Sequence, residues 1–398
     1  MILKDIAYYV DESIISDDIE KFQYVTTDSL LQNKEGRTIA TNMPPQSCSL
    51  THFMPGDVLI ANIRPYLKKI WKADIEGGCS KDVLVIRAKE GHFTEFVYAL
   101  AMQDSFFENA MLGIKGTQMP RGDKNKIMEF PVYIHSGKEE QKLGELIDKI
   151  QKKIALNTRM NAELEAMAKQ LYDYWFVQFD FPDENGNPYK SSGGKMVYSP
   201  TLKRDIPAGW EVKNLFYIAN YYNGLACQKY RPSEGETSLP VIKITEMHNG
   251  FTSETERASS NIPSEAIIEN GDVLFAWSAS LEVMLWGLGK GALNQHIFKV
   301  TSNNGFPKSF YFYQLLEYVG HFKKIAEAKK TTMGHITKDH LEQSQIVVPP
   351  TTDLPNQLEE ILEPIMDKIV SLSSEKIYLT HLRDSLLPML MNGQVTVE

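Results

Sequence analysis

Apolar residues along this chain alternate between two rhythms. Up to about residue 135 the apolar runs are short and bounded by turn signals. Val58 to Ile63 follows Pro55-Gly56, and Val83 to Arg87 follows Gly77-Gly78. Runs of that length, closed by proline and glycine, predict strands, with one helical stretch near Phe93 to Leu112 as the exception. The rhythm then changes at Ser136-Gly137-Lys138-Glu139, which has the spacing of a capping box. Beyond it, apolar residues recur every three and four. A heptad frame gives Leu143, Leu146, Ile150, Lys153, Asn157, Met160, Leu164, Met167, Leu171 and Tyr174, and all but Lys153 and Asn157 suit burial.

This helix is expected to end near Phe179. The polar, turn-forming stretch from Asp183 to Lys195 reads as a linker. A second β-rich stretch runs from about Ile206 to Pro350, and Asp353 with Pro355 in the first turn opens a second long helix. Its seam reads Leu358, Ile361, Ile365, Lys368, Leu372, Glu375, Leu379, Leu382, Leu386 and Met389, with Pro364 and Pro388 expected to bend or fray it. At about 1.5 Å per residue each helix spans on the order of 60 Å. Two helices with one apolar stripe each most simply pack on each other; the alternative is that each stripe packs on its own β-rich domain. Asn157, polar on the seam, either sets the register or faces solvent.

The two halves repeat each other. Gly56-Asp57-Val58-Leu59-Ile60-Ala61 returns as Gly271-Asp272-Val273-Leu274-Phe275-Ala276, and Ile147-Asp148-Lys149-Ile150 as Met366-Asp367-Lys368-Ile369. Lys115-Gly116-Thr117-Gln118-Met119 corresponds to Lys329-Lys330-Thr331-Thr332-Met333, and Lys124 to Lys338. A period near half the chain is a duplicated domain plus helix, far longer than a solenoid repeat. The expected class is α+β: a pseudo-twofold internal repeat of two β-rich domains, 1–135 and 206–350. Between and after them come helices 136–179 and 351–393, packing as an antiparallel coiled coil, with 180–205 as linker.

Composition excludes several classes. At 42% hydrophobic and 23% charged residues the chain is globular, and no apolar run approaches a membrane span. Cys48, Cys79 and Cys227 fit neither a disulfide framework nor a metal clip, so a cytoplasmic location is expected. The formal net charge of −9 argues against nucleic acid until its distribution is considered. Arg64, Lys68, Lys69 and Lys72 lie within Ala61–Lys72 without an acid. Lys115 to Lys126 adds further bases, and Lys323, Lys324, Lys329 and Lys330 form a run in the second half. Acids collect in the helices. A basic run is ordinarily one solvated face, but two at equivalent repeat positions suggest a polyanion.

Catalytic motifs are absent. There is no phosphate loop of the G-x-x-x-x-G-K-[ST] type. Gly287-Leu288-Gly289-Lys290-Gly291 is better read as a turn between strands than as a dinucleotide site. Asn187-Pro188-Tyr189 only partly matches the N-P-P-Y of adenine methyltransferases and lacks a glycine-rich cofactor loop upstream. No histidine pair has a third metal ligand, and Asn294-Gln295-His296 suits a hydrogen-bonded structural role. What remains is recognition: Arg reads guanine, Asn and Gln read adenine, and Lys, Thr and backbone amides hold phosphates. The candidate DNA contacts are Asn62, Arg64, Tyr66, Lys68, Lys69, Lys115, Thr117, Gln118 and Arg121 in the first half. In the second they are Ser278, Ser280, Lys330, Thr331, Thr332, His335 and Lys338. No catalytic residue, metal ligand or cofactor is expected.

With these residues in view, the whole chain resembles the specificity subunits of type I restriction–modification systems. The resemblance rests on Gly56-Asp57-Val58-Leu59, Arg64-Pro65-Tyr66, Gln178-Phe179-Asp180-Phe181-Pro182, Ser191-Ser192-Gly193-Gly194-Lys195, Ile206-Pro207 with Gly209-Trp210, Asn294-Gln295-His296-Ile297-Phe298 and the Thr331–Met333 segment. It implies that each β-rich domain is a target recognition domain reading half of a bipartite site in double-stranded DNA. It also implies that the helices fix the spacing and bind two methyltransferase subunits, with restriction subunits joining the complex. Adenine methylation and ATP-driven cleavage would belong to those partners. The second half has no Arg-Pro-Tyr; Trp277, Ser278 and Ser280 stand in the place of Asn62 to Pro65. The alternatives are a DNA-modifying enzyme with its own catalytic centre and a coiled-coil scaffold that binds protein.

Overall fold

A computed structural model describes residues 1–112, 119–278, 280–328, 336 and 338–397. The chain divides into two compact units: Met1–Leu156 with Tyr378–Glu398, and Asn157–Ile377. The division falls inside both long helices, Gly137–Tyr172 and Asp353–Met391.

In the first unit, strands Ala7–Tyr9, Val83–Ala88, Val58–Ala61 and Ile70–Lys72 form an antiparallel sheet in that spatial order. The run Val58-Leu59-Ile60-Ala61 is apolar throughout because both faces of its strand are buried. Val58 and Ile60 pack with Phe96, Phe106 and Phe107 of helices Thr94–Ala101 and Asp104–Ala110. Leu59 and Ala61 point the other way, toward Val25, Phe53 and Trp71. A second sheet orders Ser13–Ile15, Ser49–Phe53, Gly77–Cys79 and Tyr24–Val25, the last pairing being parallel.

The second unit repeats this plan. Strands Ala219–Asn223, Ile297–Ser302, Val273–Ala276 and Glu282–Leu285 stand in the same order as their counterparts. Val273 and Phe275 face one core, and Leu274 and Ala276 the other. The turn at the start of each central strand is identical in detail. Met54 N donates to Asp57 Oδ2, and Glu269 N to Asp272 Oδ2, each at 2.8 Å. The small sheets differ in one respect: the fourth strand, Ser13–Ile15 in one unit and Arg257–Ser259 in the other, adds at opposite edges. The glycine-rich stretch at 287–291 is a turn between Glu282–Leu285 and Gly291–Leu293, and Ser374 Oγ donates to the Gly287 carbonyl.

The capping box at the start of the first long helix is formed: Ser136 N donates to Glu139 Oε2 at 2.8 Å and Glu139 N to Ser136 Oγ at 3.3 Å. Within the first unit Leu143 and Ile147 share a core with Leu387, Leu390 and the β-domain residues Phe96 and Val97, so the stripe packs on both the other helix and the domain. Gly144 permits this, since a Cβ there would lie 2.5 Å from Phe96 N. In the second unit Asn161 Nδ2 donates to Ser373 Oγ at 2.8 Å, and Ala168 and Tyr172 pack with Leu358 and Leu362. In each unit early residues of one helix meet late residues of the other, as antiparallel helices must.

The seam differs from the expected one. Leu143, Ile150, Leu358 and Leu372 are buried as foreseen, and Asn157, left open between seam and solvent, is buried too. The alternate column is displaced by one residue: Ile147, Ile154 and Ala168 are buried, whereas Met167 is 44% exposed. In the second helix Leu362 and Ile369 are buried and Ile361 is 46% exposed. The contact stripe therefore steps four then three residues from Leu143. Both columns contain apolar residues, so sequence alone gave them equal weight.

The turn-rich segment after the first helix is folded. The helix closes in a π turn, Asp173–Val177. Phe181 then stacks between Tyr189 and Trp210, with ring centroids 4.7 Å and 5.2 Å away. Met196–Ser199 and Arg204–Pro207 form an antiparallel hairpin.

Candidate nucleic-acid interface

In the first unit the central strand ends in a turn braced from two sides. Asn62 N donates to the Asp82 carbonyl at 2.8 Å, Gly122 N to the Asn62 carbonyl at 2.9 Å, and Arg64 N to the Pro120 carbonyl at 2.8 Å. Ile63 and Arg121 form an isolated antiparallel bridge. Two sequence runs that stand far apart thus lie side by side. Arg64 and Lys68, both at φ +51°, flank the 3₁₀ turn Pro65–Leu67. That left-handed geometry is uncommon for residues with a Cβ and throws the intervening turn outward.

The candidate contacts separate on this frame. Arg64 is exposed, and among the described residues no protein group pairs with its guanidinium. Tyr66 is 51% exposed beside it. Arg121 is also exposed and bridges Asp82 at 3.0 Å. Asn62 is buried, and among the described residues its Oδ1 has no hydrogen-bond partner. Its side chain belongs to the frame more than to the surface.

The basic run is not a basic face. Lys68 pairs with Asp104 at 2.8 Å, and Lys69 Nζ donates to the Thr27 carbonyl at 2.5 Å. Lys72 is half-buried between Glu95, at 2.9 Å, and Asp148, at 2.7 Å. These lysines follow a left-handed turn and a strand that bring Lys68 to Asp104 and Lys69 to the Thr27 carbonyl, and both stay half-buried. Lys115, Thr117 and Gln118 lie outside the described residues.

The second unit carries the same brace with other side chains. Trp277 N donates to the His296 carbonyl at 3.3 Å, and Ile336 N to the Trp277 carbonyl at 3.1 Å. These reproduce the bonds from Asn62 to Asp82 and from Gly122 to Asn62. The Trp277 indole N–H donates to Asn223 Oδ1 at 3.0 Å and its ring lies 5.8 Å from that of His296, which is exposed. Ser278 is buried and so does not present its hydroxyl as expected; Ser280 is half-buried. Lys338 is exposed at the start of helix Lys338–Gln343. Lys330, Thr331, Thr332 and His335 lie outside the described residues. Asn294 is buried, with its N donating to the Ile242 carbonyl at 3.1 Å, in keeping with a structural role.

A cluster the sequence reading missed sits behind the first turn. Lys34 is only 4% exposed, and its Nζ lies 2.7 Å from Asp104 and 3.1 Å from Asp384. Buried Arg383 also pairs with Asp384, at 2.9 Å, and donates to Gln151 Oε1 at 2.7 Å. Burial raises the Asp104 carboxyl, but Lys34 and Lys68 outweigh it and hold it below its ordinary value. At Asp384 burial is likewise outweighed by Arg383 and Lys34. The available signal was Arg383, a charge inside an apolar stripe.

Among the described residues no group of three His, Cys, Asp or Glu is placed to hold a metal ion, and no helix is long and apolar enough to cross a membrane. Burial pushes the Cys79 thiol up to about 12 and the Cys227 thiol to about 11, which leaves them unreactive.

The two units share a brace that carries unlike side chains, each beside segments of both long helices. Residues 207–378 match the family model of the type I restriction modification DNA specificity domain. The chain is 23% identical over 393 residues to the type I restriction enzyme MjaIX specificity subunit of Methanocaldococcus jannaschii, covering 96% of this chain and 86% of that one. It is 22% identical over 400 residues to the HindI specificity subunit of Haemophilus influenzae, covering 85% and 86%. Among solved structures, the type I system S subunit from M. genitalium shares the fold, with a TM-score of 0.60 at 11% identity over 98% of this chain and 95% of that one. Over most of its length the chain is thus similar to specificity subunits of type I restriction–modification systems, and its second half carries the match to their DNA specificity domain.

Proposed function

We propose that each unit reads one half of a bipartite site in duplex DNA, and that the long helices set the gap and dock two methyltransferase subunits. Restriction subunits join through that complex, and the chain works in the cytoplasm. In the first unit the proposed readers are Arg64, Tyr66 and Arg121, with Lys115, Thr117 and Gln118 alongside. In the second they are Ser280, Lys330, Thr331, Thr332, His335 and Lys338, with Asn223 and His296 added by the geometry. The observation that carries this reading is the shared brace: the backbone bonds of Asn62 recur at Trp277, while the side chains they display differ. A duplicated reader with one frame and two surfaces suits a target of two unlike halves. Adenine methylation and cleavage fall to the partner subunits.

The test is base-resolution methylome mapping after co-expression with the cognate methyltransferase subunit. A split motif with two fixed halves and a constant gap is expected. A continuous motif, or methylation without sequence preference, would overturn the two-reader reading.

A further inference from the structure

The buried cluster around Lys34 is built as two closed rings that share this one residue. In the first, Lys34 Nζ meets Asp384, Asp384 pairs with Arg383, Arg383 donates to Gln151, and Gln151 Nε2 donates back to the Lys34 carbonyl at 2.8 Å. In the second, Lys34 N donates to the Lys68 carbonyl at 2.9 Å, and Lys34 and Lys68 both grip Asp104, at 2.7 Å and 2.8 Å. Asn33 N also donates to the Leu67 carbonyl at 3.0 Å. One ring holds the two long helices through Gln151 and Arg383; the other holds the far end of the turn that displays Arg64.

Lys34 and Arg383 are buried at a desolvation cost that apolar residues of similar volume would not carry, while Asp104 and Asp384 stay 52% and 39% exposed. Stability alone therefore does not account for the cluster. Asn33 and Lys34 both sit at positive φ, +55° and +65°, an arrangement uncommon for such residues and held here by the bonds just described. The turn Pro65–Leu67 has its start fixed by the Arg64-to-Pro120 bond, and its end held where the Leu67 and Lys68 carbonyls accept from Asn33 and Lys34, next to the Ala61-to-Lys69 bond.

We propose that Lys34 is a positioning residue for DNA reading. It locks the Arg64–Lys68 turn to the paired helices, so that Arg64 meets one base position in a fixed orientation. This rests on the assignment of Arg64 as a reader. Losing the lock lets the turn sample several orientations, which lowers the preference for the base Arg64 reads without removing the turn's binding surface.

The experiment compares methylomes produced with Lys34→Met, Asp384→Asn, Lys34→Arg and Arg64→Ala chains, each co-expressed with the methyltransferase subunit. Lys34→Met and Asp384→Asn are expected to lower base preference about tenfold at one position of one half-site, the same position that Arg64→Ala relaxes, with the other half-site unchanged. Lys34→Arg should recover part of it. Asp384 is partly exposed, so its variant tests the idea even if Lys34→Met fails to fold. If Arg64→Ala relaxes a position that stays sharp in Asp384→Asn and in folded Lys34→Met, the lock is wrong and the reader stands. If Arg64→Ala leaves both half-sites unchanged, the reader assignment falls and the lock with it.

Discussion

Asn157 is wholly buried on the helix seam, and its Nδ2 donates to Glu375 Oε2 at 2.8 Å while its Oδ1 has no partner. A half-satisfied buried amide costs stability, on the order of 1–3 kcal/mol for an unpaired group. It marks the observed register, in which the amide meets a carboxylate. Asn157→Asp would place a second carboxylate against Glu375. It is expected to lower the melting temperature at pH 7 and to recover part of the loss near pH 4. Asn157→Leu should cost less than Asn157→Asp at pH 7. Thermal denaturation of the three chains checks both statements, and equal melting curves at pH 7 would remove Asn157 from the seam.

Arg64 is exposed on its turn, and among the described residues no protein group pairs with its guanidinium. Arg64→Ala should relax one half-site by about 1–3 kcal/mol per lost base contact and leave the other half-site's sequence unchanged. Methylome mapping reads this out. Equal change in both halves would show that Arg64 does not belong to one reader.

Lysines divide by their partners. Lys338 is exposed, and Lys338→Ala should weaken binding to all sequences and reduce the salt slope by roughly one. Lys68 is held by Asp104, so Lys68→Ala should leave the salt slope of nonspecific binding near its original value. Binding titrations at several salt concentrations separate the two, and a slope loss confined to Lys68→Ala would reverse this division.

Acid should loosen the first unit. Asp104 and Asp384 are both held below their ordinary value of 3.8 by neighbouring cations. A carboxyl lowered on folding stabilises the fold above its unfolded pKa and loses that contribution as pH falls through its folded value. The contribution is thus full at pH 7 and disappears below about pH 4. Asp104→Asn should lower stability at pH 7 and flatten the acid limb of the unfolding curve. An acid limb as steep as that of the unaltered chain would mean the cluster does not couple to pH.

The helices offer a test of spacing. Four residues inserted ahead of Tyr172 keep the stripe nearly in phase and add about 6 Å, close to two base pairs. Both half-site sequences should survive while the gap grows by one or two base pairs. Two inserted residues rotate the stripe by about 200° and should disrupt packing instead. An unchanged gap after the four-residue insertion would show that the helices are not the ruler.

The duplicated plan was legible in the sequence because strand and helix periods are local. Val58–Ala61 and Val273–Ala276 announced central strands through unbroken apolar runs, and Ser136 with Glu139 announced a helix start. The seam was legible only to within one residue, since Leu146 and Ile147 are both apolar and only packing decides which one turns inward. The site was less legible still. Charge runs carry no information on direction: Lys68, Lys69 and Lys72 read as a basic face until the left-handed turn and the strand pairing aimed them at Asp104, Thr27, Glu95 and Asp148. Lys34, Asp104 and Asp384 stand far apart along the chain, and only tertiary packing buries Lys34 and brings the two carboxylates to its ammonium.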